Sequence, residues 1–335
     1  MDSRSPRHPK LSVFYFEDGL QIPALGLSVD VARRQPRGFV SHGHFDHLAA
    51  HELAFCSPIT ARFYQRRLGG RRWIRELPYG EPHVWDDHRL TTFPAGHILG
   101  SSMLLVESPR ESLLYTGDFR LRKSETAEPA APPRADLLVM ECTFGEPRYR
   151  VPPREVVVPR LIATLRQSLD AGLVPVVFAY ALGKAQEVTR ILRSAGLRVL
   201  QHPSVFALSQ EYEAAGCDLG GVEEYQESSP LADAVLVFPP PGRRAAGPQL
   251  PNSAVTIAVT GWALDERYKF RTGVDYAFPL SDHADFDELL ECVERVSPRQ
   301  VYCWHGQEPF VDELRRRGWD AYWLPRVRRP RVGHA

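Results

Sequence analysis

The five cysteines (Cys56, Cys142, Cys217, Cys292, Cys303) are scattered, and none stands in a Cys-x-x-Cys pair. That excludes a dithiol redox motif and a cysteine-based zinc finger. Long apolar runs are also missing. No stretch approaches the roughly 20 residues a membrane helix needs. An excess of either charge is missing too: 41 Lys and Arg face 41 Asp and Glu. A neutral chain is not a general polyanion binder, so any nucleic-acid site must be a local basic patch. Residues 1–10, MDSRSPRHPK, carry no apolar leader and read as a loose arm. With an odd number of cysteines, which read as small core residues, the expectation is a cytoplasmic protein with reduced thiols and no membrane part. What remains is ordinary: 335 residues, 43% hydrophobic and 24% charged, enough for one large or two modest cores.

The first 145 residues alternate short apolar runs with turn residues. RGFVSH, ELAFCS, SSMLLVES, SLLYTGD and ADLLVMECT read as strands, and TARFYQRRL as a helix. After residue 146 the texture changes. A proline-rich start leads into an amphipathic helix, then VPVVFAY (strand), GKAQEVTRILRSAG (helix) and LRVLQH (strand), the alternation of a parallel α/β sheet. Residues 226–252 read as loop, and AVTIAVTGW as strand. From 272 the order is VDYAFPL, DFDELLECVERV, RQVYCWH and EPFVDELRRRG: strand, helix, strand, helix. The tail RVRRPRVGHA is basic.

The chemistry concentrates in SHGHFDHL, which holds His42, His44, Asp46 and His47. On a helix His42 and His44 would point apart; at a strand end, positions i and i+2 line one side. The strand-like RGFV before them puts the cluster on the loop at that strand's C-terminal end. His42 and His44 then grip one metal, and Asp46 and His47 reach a second. Imidazole with carboxylate suits zinc, and also manganese or iron. His97, between glycines ahead of a strand, is expected as a third ligand of the first metal. Asp118, ending the strand of YTGD, is placed to bridge two ions. Asp30, ending a strand in LGLSVD, orients a ligand histidine or caps a turn.

These residues resemble the metallo-β-lactamase superfamily, whose fold is a four-layer αβ/βα sandwich with two metals at the sheet edge. Glu141 in MECTFGEP, His283 in SDHADF and His305 in CWHGQ look like the further motifs of its β-CASP nucleases, and FAYALGKAQEV looks like the start of their inserted α/β domain. LPYGEP, PAGHILGSS, ECTFGEPRYRVPP, GWALDERYKFRTGVDYAFPLSDHADFDELL and WHG are similar to landmarks of the bacterial ligase-associated DNA exonucleases. The resemblance implies a first metallo-β-lactamase part at 1–145, an inserted β-CASP domain at 146–271, and a second metallo-β-lactamase part with a basic tail at 272–335.

It also implies roles. His42, His44, His97 and Asp118 would hold metal one; Asp46, His47, Asp118 and His305 would hold metal two, with two divalent ions, zinc or manganese. A hydroxide shared by the metals would attack a phosphodiester. His283, paired with Glu141, would be the general acid; the plainer reading is that it neighbours a helix cap supplied by Ser281 or Asp282. Lys184, after a glycine at a helix start, and Ser281 would touch a substrate phosphate, unless Lys184 is simply solvated. Arg243, Arg244, Arg267, Arg271 and the tail arginines are candidates for the substrate channel. His51 is either near the ligands or on a helix surface, and His202 either edges the cleft or does not.

The implied function is a DNA exonuclease of repair, with a link to a DNA ligase and helicase. An RNA-processing nuclease is the alternative, because a histidine at the last motif, here His305, is associated with RNA-acting members. A small-molecule hydrolase lacks the insertion and the Glu141/His283 pair, and a scaffold would have lost ligands.

Overall fold

A computed structural model describes residues 14–16, 19–241 and 250–324. The N-terminal arm, Arg243, Arg244 and the basic tail lie outside the described residues. Six short strands form the first sheet in chain order: β1 (Tyr15–Phe16), β2 (Leu20–Ile22), β3 (Leu27–Val29), β4 (Arg37–Phe39), β5 (Leu53–Cys56) and β6 (Ile74–Glu76). The last four run parallel. Next comes an antiparallel meander of β7 (His83–Trp85), β8 (His88–Pro94), β9 (Ser102–Glu107) and β10 (Ser112–Tyr115), with β11 (Leu137–Cys142) parallel to β10.

The chain then builds a wholly parallel third sheet from β12 (Val174–Phe178), β13 (Arg198–Gln201), β14 (Glu223–Glu224), β15 (Ala234–Phe238), β16 (Ala254–Val259) and β17 (Tyr276–Phe278). It returns to the second sheet with β18 (Gln300–Gly306) and β19 (Ala321–Trp323), giving the order β19-β18-β11-β10-β9-β8-β7.

Alternation on the strands sets the layers. On β9, Leu104 and Val106 face the first sheet and pack with Val29, Phe39 and Phe55, while Met103 and Leu105 face the other way. A strand buried on both faces reads as an apolar run, as Met103–Val106 of β9 and Leu137–Met140 of β11 do. Two helices cover that outer face, α6 (Phe286–Val296) and α7 (Pro309–Arg316), through Leu289, Val293, Phe310 and Leu314. The helix α1 (Pro58–Leu68) covers the outer face of the first sheet through Ala61 and Tyr64. The result is the expected four-layer αβ/βα sandwich, and the third sheet, with α2 (Arg154–Asp170) and α3 (Lys184–Ser194) packed on one face, is the inserted α/β unit. A small cluster of Phe63, Ile98, Leu182 and Tyr212 joins the two.

Three local readings need correction. Residues 226–252 are not all loop: AVLVF forms β15, a buried inner strand of the third sheet. Its shortness and flanking Asp and Pro hid it. The helix α4 (Pro203–Ala214) went unread, and His202 caps it, accepting from the Ser204 amide. The cap of α6 is Asp285, in a reciprocal capping box with Glu288, rather than Ser281 or Asp282. Four cysteines are buried as expected and Cys217 is half-buried.

Phe286 opens α6 and packs edge-on against Phe310 in the core. Its truncation to alanine is expected to destabilise the fold by about 3–5 kcal/mol, read from urea denaturation midpoints; a loss below about 1 kcal/mol would contradict this packing.

Candidate metal centre

The β4 strand ends at Phe39, and the loop that follows turns back at once, with His47 N–H donating to His44 O. Gly43 permits the tight approach, since a Cβ there would sit 2.9 Å from Leu182 and from Phe63. This brings His42 and His44 to one side. His97 arrives from the loop between β8 and β9, and Asp118 from just beyond β10. Gly117 has φ +57, and a Cβ on it would meet Ser41 at 2.8 Å, so this turn requires glycine. One donor atom from each of His42, His44, His97 and Asp118 lies within 4.8 Å of the others.

The hydrogen bonds fix the tautomers. His44 Nε2 faces the Leu182 carbonyl at 3.0 Å, and His97 Nδ1 the Asp282 carbonyl at 2.9 Å. Carbonyls only accept, so both nitrogens carry protons. His42 Nδ1 lies 2.9 Å from Ser41 Oγ, whose own proton goes to Asp30. All three inner nitrogens are therefore bare. They nevertheless face each other closely: His42 Nε2 and His97 Nε2 each lie 3.1 Å from His44 Nδ1. Asp118 Oδ2 stands 3.5 Å from His42 Nε2 and 3.9 Å from His97 Nε2. Bare lone pairs and a carboxylate repel at such distances unless a cation sits among them. Four ligands around tetrahedral zinc at 2.0–2.1 Å stand about 3.3 Å apart. The donor set fits.

A second set adjoins it. His47 Nδ1 donates to Asp30 Oδ2 at 2.7 Å, so its Nε2 points at Asp118 Oδ2, 3.4 Å away, and at Asp46 Oδ2, 3.8 Å away. That Nε2 is buried without a hydrogen-bond partner. The His305 ring lies 5.4 Å from the His47 ring, carried by a left-handed residue (φ 56) near the end of β18. Asp30, also left-handed at φ 46, accepts from the Ser41 amide and hydroxyl, His47 and the Tyr115 hydroxyl. It orients a ligand-loop histidine as expected, and three further groups besides.

Charge follows from this packing. Burial pushes His97 down to about 3 and His305 to about 4, and lowers His42 and His44 too, which leaves the rings neutral and ready to bind a cation. His47 differs. Burial would lower it, but Asp118 and Asp30 on either side outweigh burial and raise it well above the usual value. Without a metal this favours a proton on His47. Burial would raise Asp118, yet His47 and His283 hold it well below the carboxylate range.

Glu141, in β11, grips His283 Nδ1 with both oxygens at 3.0 Å and accepts the Phe119 amide, fixing the turn that carries Asp118. Burial opposes a charge on His283, but Glu141 and then Asp118 prevail and raise it to about 10. Ser281 spends its hydroxyl inside this loop, donating to the His283 carbonyl and accepting its amide.

Lys184 is neither solvated nor turned toward a phosphate. Its ammonium is buried, 3.2 Å from Glu187 and 3.6 Å from Asp282. Glu187 also takes Arg120 at 3.0 Å and Arg154 at 2.6 Å, and Arg120 donates to the Ser281 carbonyl. Sequence reasoning missed this network, because its members come from four separate segments and carry no motif. His51 is buried rather than on a helix surface, and accepts the Gln35 amide. Among the channel candidates, Arg271 pairs with Asp265 at 2.7 Å.

Residues 268–324 match the family model of the RMMBL domain, described as a Zn-dependent metallo-hydrolase RNA specificity domain. The chain is 40% identical over 310 residues to a probable DNA ligase of Opitutus terrae, covering 92% of this chain and 30% of that protein. It is 28% identical over 346 residues to the 5′ exonuclease Apollo of Rattus norvegicus, covering 95% and 60%. A transcription termination factor FttA of Thermococcus kodakarensis is 40% identical over 121 residues, 35% of this chain and 19% of that one. The chain thus spans between about a third and three-fifths of the length of the first two relatives. A crystal structure of a protein of unknown function from Enterococcus faecalis V583 superposes over 82% of this chain and 76% of its own, with TM-score 0.58 and 14% identity, a likeness of fold alone.

The His283–Glu141 pair makes a signed prediction for the chelated protein. A histidine raised from 6.5 to about 10 stabilises the fold fully below pH 6.5, and this contribution disappears as pH rises through 10. The stability advantage of the wild type over His283→Ala, measured by urea unfolding, should therefore shrink steadily from pH 6.5 to 10. A gap that stays constant across that range would remove the ion pair.

Proposed function

We propose that the chain is a β-CASP nuclease of the metallo-β-lactamase fold and, within that group, a two-metal phosphodiesterase, a DNA exonuclease acting in repair. The observation that carries the reading is the convergence of three bare imidazole nitrogens and Asp118 beside a histidine held in its charged form. His42, His44, His97 and Asp118 hold one divalent ion; Asp46, His47, Asp118 and His305 hold the other, with zinc or manganese as occupants. Such a pair of ions supplies Lewis acidity, activating water and neutralising charge on the phosphoryl oxygens.

The side chains do the rest. Glu141 keeps the proton on His283, whose Nε2 delivers it to the leaving oxygen. Ser281 fixes the backbone that aims His283, and the neighbouring Asp282 carbonyl aims His97. Asp46, at the exposed lip of the site, directs the attacking water. Lys184 acts by anchoring Asp282 and Glu187. The inserted domain, expected at 146–271, roofs this cleft, and its sheet runs past that boundary to β17 (Tyr276–Phe278).

Similarity to proteins named a 5′ exonuclease and a probable DNA ligase supports DNA as substrate and a functional link to a ligase; the link to a helicase rests on the motif resemblance alone. The RNA specificity domain match and His305 support RNA as the second reading. No helix among the described residues is long and apolar enough to cross a membrane, and a cytoplasmic setting is proposed from the cysteine pattern.

The test is digestion of matched single-stranded DNA and RNA, labelled at the 5′ or the 3′ end, with zinc or manganese. DNA should be lost preferentially, and Asp118→Ala or His44→Ala should reduce the rate at least about 10³-fold. Rapid loss of RNA instead would favour RNA processing, and unchanged rates in both variants would remove the two-metal mechanism.

A further inference from the structure

In the loop His42–His47, the three histidines turn inward, Asp46 stands exposed at the lip of the site, and Gly43 is locked by its neighbours. Phe45 alone turns an apolar ring outward, 61% exposed, between His44 and Asp46. A surface phenylalanine by itself calls for no explanation. This one is braced. The Arg67 guanidinium, from α1, lies 3.6 Å from the ring centroid and donates to the Gly43 carbonyl at 2.6 Å. Arg67 is thus tied to the metal loop and covers one face of the ring, and the ring still keeps most of its surface open. Its neighbours Arg62 and Arg66 pair with Glu211, whereas Arg67 forms no salt bridge among the described residues and feels the Asp46 carboxylate only at longer range. Tyr180, 52% exposed, stands two residues before Leu182, whose carbonyl anchors His44.

An oriented aromatic face, a cation at its back and a phosphodiester-cleaving centre one residue away make a recognisable combination. Every nucleobase has a π-face, and stacking on an aromatic side chain is the sequence-tolerant way to hold an unpaired strand. A protein partner would need a far larger apolar patch than one ring. Resting on the nucleic-acid reading above, we propose that Phe45, held by Arg67, is a stacking platform for one unpaired base beside the scissile phosphate, so that the substrate is a strand end freed from its duplex. The Arg67 charge, with no carboxylate in direct contact among the described residues, attracts the adjoining phosphate. The platform acts in binding and is indifferent to base identity.

The test is a cycle between protein and substrate. Initial rates are measured for zinc- or manganese-loaded wild type, Phe45→Ala and Phe45→Trp. The substrates are single strands with a normal nucleotide or an abasic one at each position near the labelled end. In the wild type, one abasic position should raise KM roughly 5- to 150-fold. The same substitution should leave the KM of Phe45→Ala unaltered, because the stacking is already lost, and Phe45→Trp should restore the wild-type response. Metal content of each variant checks that the loop is intact. An abasic penalty as large in Phe45→Ala as in the wild type would overturn the platform while leaving the nuclease reading untouched. A metal-loaded wild type that cleaves no strand would overturn both.

Discussion

Three imidazole nitrogens without protons crowd beside a carboxylate, those of His42 and His97 each 3.1 Å from that of His44. Nothing in the protein itself makes that arrangement favourable. The rings are forced into it by acceptors behind them: the Ser41 hydroxyl, the Leu182 carbonyl and the Asp282 carbonyl. Each acceptor comes from a different part of the chain, so the whole fold is recruited to aim three lone pairs at one point. A fold that keeps such mutual repulsion is one that binds a cation there, and the cation's binding energy is what offsets the cost.

This constraint also explains the buried ion network beneath the site. The Leu182 and Asp282 carbonyls belong to loops around the inserted sheet, and each must hold its place to within hydrogen-bond tolerance. Glu187 gathers Arg120, Arg154 and Lys184, and Lys184 in turn holds Asp282. Arg120 follows Asp118 by two residues and grips the Ser281 carbonyl. The network therefore couples the turn that carries Asp118, a histidine's acceptor and the loop of His283. Breaking such a buried cluster by removing one member leaves uncompensated charge in the interior.

The ligand loop was legible because its residues are neighbours in the chain, and strand-end spacing alone puts His42 and His44 on one side. His97 and Asp118 were legible through the glycines and short strands around them. The four-layer arrangement was legible only through the resemblance of the metal motifs to a known superfamily; the strands buried on both faces are what the structure adds. Lys184 misled because glycine-lysine at a helix start is also the pattern of a phosphate site, and only packing decides which. Asp285 outcompeted Ser281 and Asp282 as a cap by standing directly before the helix with Glu288 three residues on. β15 was hidden by its proline-rich surroundings. The outer-nitrogen acceptors were invisible, because backbone carbonyls such as those of Leu182 and Asp282 carry no sequence signature.

The central claim is the tautomer pattern, and the direct measurement is ¹⁵N NMR of imidazole-labelled protein, metal-loaded and chelated. The account predicts metal contact through Nε2 of His42 and His97 and through Nδ1 of His44, with His44 Nε2 and His97 Nδ1 protonated throughout. Protons found instead on the inward nitrogens, with no shift on adding zinc, would contradict it.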